Sequence, residues 1–97
     1  MMEDLTAFQR DLLYVAAGLD NGSAPHGIAI KDRIDQDYAG EINHGRLYPN
    51  LDELVDKGLL EKGTIDKRTN SYSVTDRGRR ELEARREWEQ GHIDLPQ

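Results

Sequence analysis

Residues 43–75 read NHGRLYPNLDELVDKGLLEKGTIDKRTNSYSVT, and within them the chain changes from helical to strand periodicity. Asn43 is a helix-capping residue type. After it, Leu47, Leu51, Leu54 and Val55 recur at three- and four-residue steps, the stripe of an amphipathic helix. Gly58 is the natural stop just past its end. Pro49 falls inside this helix, where it lacks an N–H to donate; it should bend the helix or set its first turn apart. From Leu59 the pattern shortens. Leu60 to Ile65 and Asn70 to Val74 are strand-like runs, the second alternating Ser71, Ser73 and Thr75 with Tyr72 and Val74. Asp66-Lys67-Arg68-Thr69 between them reads as a hairpin tip.

Upstream there are two more helices. Thr6 followed by Gln9 is a capping-box pattern. Leu5, Phe8, Leu12, Val15, Ala16 and Leu19 then trace a helix of about 14 residues, with Gly18 near its end. Asp20 to Pro25 is a turn cluster. A second helix is expected near 26–38, with Ile30, Ile34 and Tyr38 on one face, Ile28 beside them, and Gly40 as its breaker. Downstream, Thr75 caps a fourth helix running to about Gln90. Its inner positions are Leu82, Ala84 or Arg85, and Trp88; Gly91 ends it, and Ile93 and Leu95 are apolar tail residues. The order helix, helix, helix, strand, strand, helix is a winged helix-turn-helix: mainly α with a small β-hairpin. In that architecture the third helix enters the major groove and the wing reaches backbone or minor groove.

The whole chain, residues 1–97, is expected to be one winged-helix domain, with 76–97 forming a C-terminal dimerisation helix and tail. With 36% hydrophobic and 33% charged residues, a monomeric core is thin, and a dimer core is expected. No cysteine is present, which removes disulfides, thiolate metal sites and thiol redox switching. No apolar run of roughly 18 residues offers a membrane span, and the start does not read as a secretory signal; a cytoplasmic protein is expected. Catalysis finds no support: His26, His44 and His92 are scattered over the chain, and no serine lies in a nucleophile context. No cofactor or metal site is expected.

Net charge is −6, and acidity argues against a polyanionic partner. The distribution answers this. Residues 1–43 sum to −5, residues 44–86 to +2, and residues 87–97 to −3. Four Lys against nine Arg, with eleven Asp, is similar to the composition of proteins from salt-accumulating organisms. Acidic side chains near a duplex would take up cations on binding, so the salt dependence of DNA affinity should be shallower than the phosphate contacts imply.

Several stretches resemble PadR-type transcriptional regulators. His26-Gly27-Ile28-Ala29-Ile30 is similar to the opening of that family's second helix, with Ile28 where many members carry tyrosine. Gly45-Arg46-Leu47-Tyr48-Pro49-Asn50-Leu51 resembles its G-x-L-Y-P-x-L motif, and Leu54 to Leu60 the L-x-x-x-G-L that follows. Asn70 to Leu82 is similar to its Y-x-x-T-x-x-G-x-x-x-L exit from the wing. The likeness covers roughly residues 5–90, and the acidity resembles a haloarchaeal branch of short members. It implies a dimeric repressor on palindromic operators, often its own promoter, in some members with a small aromatic or amphipathic effector near the dimer interface.

The expected DNA contacts follow from residue chemistry. Arg46 and Asn50, four apart on the exposed side of the third helix, can read guanine and adenine. Asn43 lies at the helix N-terminus, where N–H groups receive phosphate, and Gly45 permits close backbone approach. His44 is either a phosphate or base contact or a plain surface histidine. Tyr48 either donates its hydroxyl to phosphate or packs as core. Lys67 and Arg68 suit phosphates or a narrow minor groove, with Thr69 and Asn70 adding polar contacts. Arg79 and Arg80 are near enough to the wing to touch backbone, whereas Arg85 and Arg86 interleave with glutamates as a solvated face. For the dimer interface the expected residues are Phe8, Leu12, Leu82 and Trp88, Trp88 packing on the partner's first helix or lining an effector pocket. The competing reading is a winged-helix module for protein contacts without DNA binding.

Overall fold

A computed structural model describes residues 4–93. Its elements are α1 (Ala7–Leu19), α2 (Gly27–Asp37), α3 (His44–Asp56), β1 (Leu60–Asp66), β2 (Thr69–Val74) and α4 (Asp76–His92). This is the winged helix-turn-helix order.

Three of the four helices start where a side-chain cap directs them. Thr6 accepts from the Gln9 N–H at 3.1 Å while Gln9 reaches back to the Thr6 N–H, a complete capping box. Asn43 accepts from the Arg46 N–H at 2.8 Å. Thr75 accepts from the Gly78 N–H and donates its hydroxyl to the Gly58 carbonyl at 2.7 Å. That hydroxyl therefore caps α4 and joins it to the end of α3, where Gly58 turns the chain with φ of 75°. The turn between α2 and α3 is held by charge: the Lys31 ammonium bonds Asp35 at 2.8 Å and Glu41 at 3.0 Å, and Asp35 also accepts from the Ile42 N–H. The lysine first, and that N–H second, hold the Asp35 carboxyl below the usual range.

The hairpin pairs Leu60 with Val74 through Thr64 with Asn70, then shifts register so that Asp66 faces Thr69. Its tip is thus Lys67-Arg68 alone, and the strands reach further than the expected Ile65 and Asn70. The Asp66 carboxylate accepts from the Arg68 N–H at 2.8 Å and closes the turn. A third segment supports the wing. The Tyr72 N–H donates to the Pro25 carbonyl, and His26 bridges Ser71, so the entry to α2 lies along β2.

The core gathers one stripe from each helix plus Leu60, Tyr72 and Val74 from the hairpin. Several expectations are corrected. Pro49 does not set the first turn of α3 apart: the helix is continuous from His44 to Asp56, and the carbonyl that its ring cannot bond belongs to Gly45, an exposed residue. Ile28 is 51% exposed instead of sharing the Ile30–Ile34 face, because it is two residues from Ile30 and so points around the helix. Gly91 does not end α4, which continues to His92. Phe8, Leu12 and Leu82 are buried in the protomer's own core, Leu12 completely, and have little surface left for a partner. Trp88 is 53% exposed, Ala84 is exposed and Arg85 is half-buried, so the inner face of α4 is essentially Gly78 and Leu82. Leu13, absent from the expected stripe, is fully buried. Leu95 lies outside the described residues.

Candidate nucleic-acid interface

The first part of α3 carries no acidic residue; Asp52, Glu53 and Asp56 are confined to its later turns. Its outward positions are Gly45 and Pro49, both exposed. They are flanked by Arg46 on one side and by His44 and Tyr48 on the other. The side chain of Asn43 is occupied with the cap, which leaves the remaining backbone N–H groups of the helix's first turn to face outward. Gly45 keeps that cap open: a Cβ there would stand 3.3 Å from the Asn43 Oδ1. His44 is exposed, with its ring edge-on to Tyr48 at 5.6 Å between centroids.

Tyr48 is half-buried, and its ring lies over the start of α2. A Cβ on Gly27 would come within 2.7 Å of Tyr48 Cε1, so glycine is what admits the ring. On the same side the wing brings in Arg68, Thr69 and Asn70. Together with His26, Gly27 and Ile28 these side chains line a cleft of about 210 Å³. His26 caps α2 by position only, with no side-chain bond to the helix N–H groups, so the dipole of α2 opens into this cleft beside the Arg68 cation. The His26-Gly27-Ile28 contribution was missed as a contact surface in the sequence. It has no charge signature there and depends on the wing folding back beside α2.

Lys67 and Arg68 are exposed at the tip. Asp66 beside them stays ionised, its carboxyl held low chiefly by the Arg68 N–H and then by Thr69, and it offsets part of their charge. Lys62 is paired with Asp52 at 3.2 Å, which removes one acidic charge from the middle of α3. Arg79 and Arg80 are exposed on the first turns of α4.

Arg46 and Asn50 face a different neighbour. The Arg46 guanidinium carbon lies 4.0 Å from the centroid of the Phe8 ring, which Tyr38 meets edge-on. Arg46 remains exposed, whereas Asn50 is half-buried and does not lie on the open side of α3. Its Oδ1 accepts from Gln9 Nε2 at 3.0 Å, and its Nδ2 donates to the Arg46 carbonyl at 2.7 Å. The expectation of an exposed Asn50 is therefore corrected: packing of α1 against α3 turns it inward. Among the described residues, no group of His, Asp and Glu side chains is placed to hold a metal ion. No helix among them is long and apolar enough to cross a membrane.

Residues 17–84 match the family model of the transcriptional regulator PadR-like family. Among solved structures, RosR from h. salinarum, grown from NaBr, is 43% identical over 100% of this chain and 84% of its own, with a TM-score of 0.87. The hsRosR-SG complex is 46% identical over 94% of this chain and 78% of its own, with a TM-score of 0.84. A winged-helix DNA-binding protein from STIV shares the fold, at 22% identity over 96% of this chain and 94% of its own, with a TM-score of 0.69. No match is found among curated proteins. With two-thirds of its length inside the family model and its helices and wing superposing on RosR, the chain belongs to the PadR-like family of winged-helix DNA-binding transcriptional regulators.

Proposed function

We propose that this regulator is a homodimeric repressor that binds a palindromic operator, with the first half of α3 in the major groove and the wing on backbone or minor groove. The observation that carries this reading is convergence: Tyr48 from α3 and Arg68 from the wing line one cleft at the start of α2, next to the first half of α3, which carries no acidic residue. Phosphate fits that cleft through the Tyr48 hydroxyl, the Arg68 guanidinium and the α2 N–H groups. Lys67, Thr69 and Asn70 extend the contact along the backbone, and His44, Gly45 and the N–H groups after Asn43 approach it from α3. Arg46 supplies base readout, its long side chain free to leave the Phe8 ring for a guanine edge. Arg46→Ala is expected to weaken operator binding by about 1–3 kcal/mol and to relax base preference locally. Fluorescence anisotropy on the cognate duplex and its single-base variants measures both; unchanged affinity and preference would remove α3 from the groove.

Dimerisation is assigned to the later turns of α4, residues 76–97 forming the dimerisation helix and tail of a single domain. Trp88 and Ile93 are exposed large apolar residues on this helix and its cap, and Tyr14 on α1 is partly exposed nearby, its hydroxyl reaching the Leu82 carbonyl. The Arg85 guanidinium lies 4.4 Å from the Trp88 ring centroid and the His92 ring 4.2 Å from it, a surface that a second copy of α4 covers. Trp88→Glu is expected to shift sedimentation from dimer to monomer and to weaken binding to the full palindrome more than to a half-site. A variant that sediments as the parent protein does refutes this assignment.

A small aromatic effector at that interface would act by changing the spacing of the two α3 helices. A regulator of this kind works where the DNA is, in the cytoplasm, through binding and without catalysis. The acidic surface outside the interface suits a halophilic cell, where it keeps the protein hydrated.

A further inference from the structure

Gln9 is one of two polar or charged residues buried among the described residues, and every polar atom of its side chain is used. Its Oε1 accepts from the Thr6 N–H at 3.3 Å, and its Nε2 donates to both Asn50 Oδ1 and Glu53 Oε2. Asn50 passes the connection on, its Nδ2 donating to the Arg46 carbonyl. A continuous run of hydrogen bonds thus leads from the cap of α1 into the backbone of α3, linking residues 41 and 44 positions apart. Asn50 and Arg46 are one helical turn apart on the flank of α3 that meets α1, and Glu53 lies a further turn along the same flank.

Reading adenine would require the Asn50 acceptor and donor together. Both are already engaged, and turning them outward would strip the buried Gln9 amide of a partner. We infer that Gln9 and Asn50 are positioning residues that set the rotation of α3 against α1, so that Gly45 and Pro49 face outward and Arg46 sits over Phe8, while Asn50 reads no base. This rests on α3 being the DNA-reading helix.

The full-length chain tests it. Base preference at each operator position is obtained by selection from a randomised duplex pool, affinity by anisotropy on the selected duplex, and stability by thermal unfolding without DNA. Gln9→Met and Asn50→Ala are each expected to lower affinity about tenfold, the double variant little further, with the base-preference profile of the parent retained. The Tm loss of the double variant is expected to fall short of the two single losses added together. If Gln9→Met fails to fold, Gln9→Glu serves: it is isosteric and still accepts from the Thr6 N–H, but cannot donate to Asn50 and opposes Glu53. It is expected to lose affinity, and adding Glu53→Gln to recover part of the loss. The inference is overturned if Asn50→Ala flattens preference at one base pair while the Gln9 variants retain it. It is equally overturned if the Tm losses are additive, or if Gln9→Glu binds as the parent does. Arg46→Ala separates this from the reading beneath it. Unchanged affinity together with an unchanged profile in Arg46→Ala refutes α3 as the reading helix, whereas the Tm cycle judges the Gln9–Asn50 lock without DNA.

Discussion

Gly78→Ala is expected to destabilise the domain by about 3 kcal/mol, although alanine is the better helix former. A Cβ at this position would lie 2.4 Å from the Leu59 carbonyl oxygen and 2.8 Å from Val74 Cγ1. The first of these is backbone, and it already accepts the Thr75 N–H at 3.1 Å. Relief requires the start of α4 to move away from the base of the wing. That movement breaks this bond and the Thr75 hydroxyl bond to Gly58, each worth about 1 kcal/mol, in addition to the overpacking. The propensity gain of about 1 kcal/mol for alanine over glycine does not offset this. Gly91→Ala is the matched control: it lies in the same helix with nothing within 4 Å of its Cβ, so propensity acts alone and the variant should be slightly stabilised. Urea unfolding of the two variants checks both signs. A Gly78→Ala protein as stable as the parent would mean that the wing is not clamped to α4 through this contact.

The double substitution Lys67→Glu with Arg68→Glu is expected to reduce DNA affinity by at least about a hundredfold at moderate salt. It changes the wing-tip charge by four units where phosphate contact is proposed, and it places carboxylates beside Asp66. Both side chains are exposed, and the turn is closed by the Asp66 carboxylate on the backbone N–H of residue 68, which survives the change. Circular dichroism should therefore be unaltered while anisotropy shows the loss. Undiminished binding would transfer the wing to the competing reading, a protein-contact surface. The same titration across KCl concentrations reads the salt slope, which the acidic later turns of α3 should make shallow.

Much of the architecture is local and was legible. Thr6, Asn43 and Thr75 cap the helices expected of them, since a cap is satisfied within three residues. The strand runs and the Lys67-Arg68 tip were legible from period-two alternation and turn chemistry. Periodicity places Phe8, Leu12 and Leu82 on apolar stripes but does not say what covers a stripe; the expected cover was a partner subunit, yet packing of the four helices on the hairpin buries all three within the protomer. Pro49 was weighed by the bond it removes, which costs little where the freed carbonyl belongs to an exposed residue.

The sequence by itself determined the order of elements, the caps that start three of the helices and the membership of the family. These depend on periodicity and on hydrogen bonds between near neighbours, which hold wherever the segment sits. Only the tertiary structure decided which side chains of α3 remain available to DNA. Arg46 stays exposed over Phe8, while Asn50, four residues on, is committed to Gln9. That difference is set by contact with a helix 41 residues away, and it is the close packing of α1 on α3 that separates a residue free to reach a base from one that holds the helix in place.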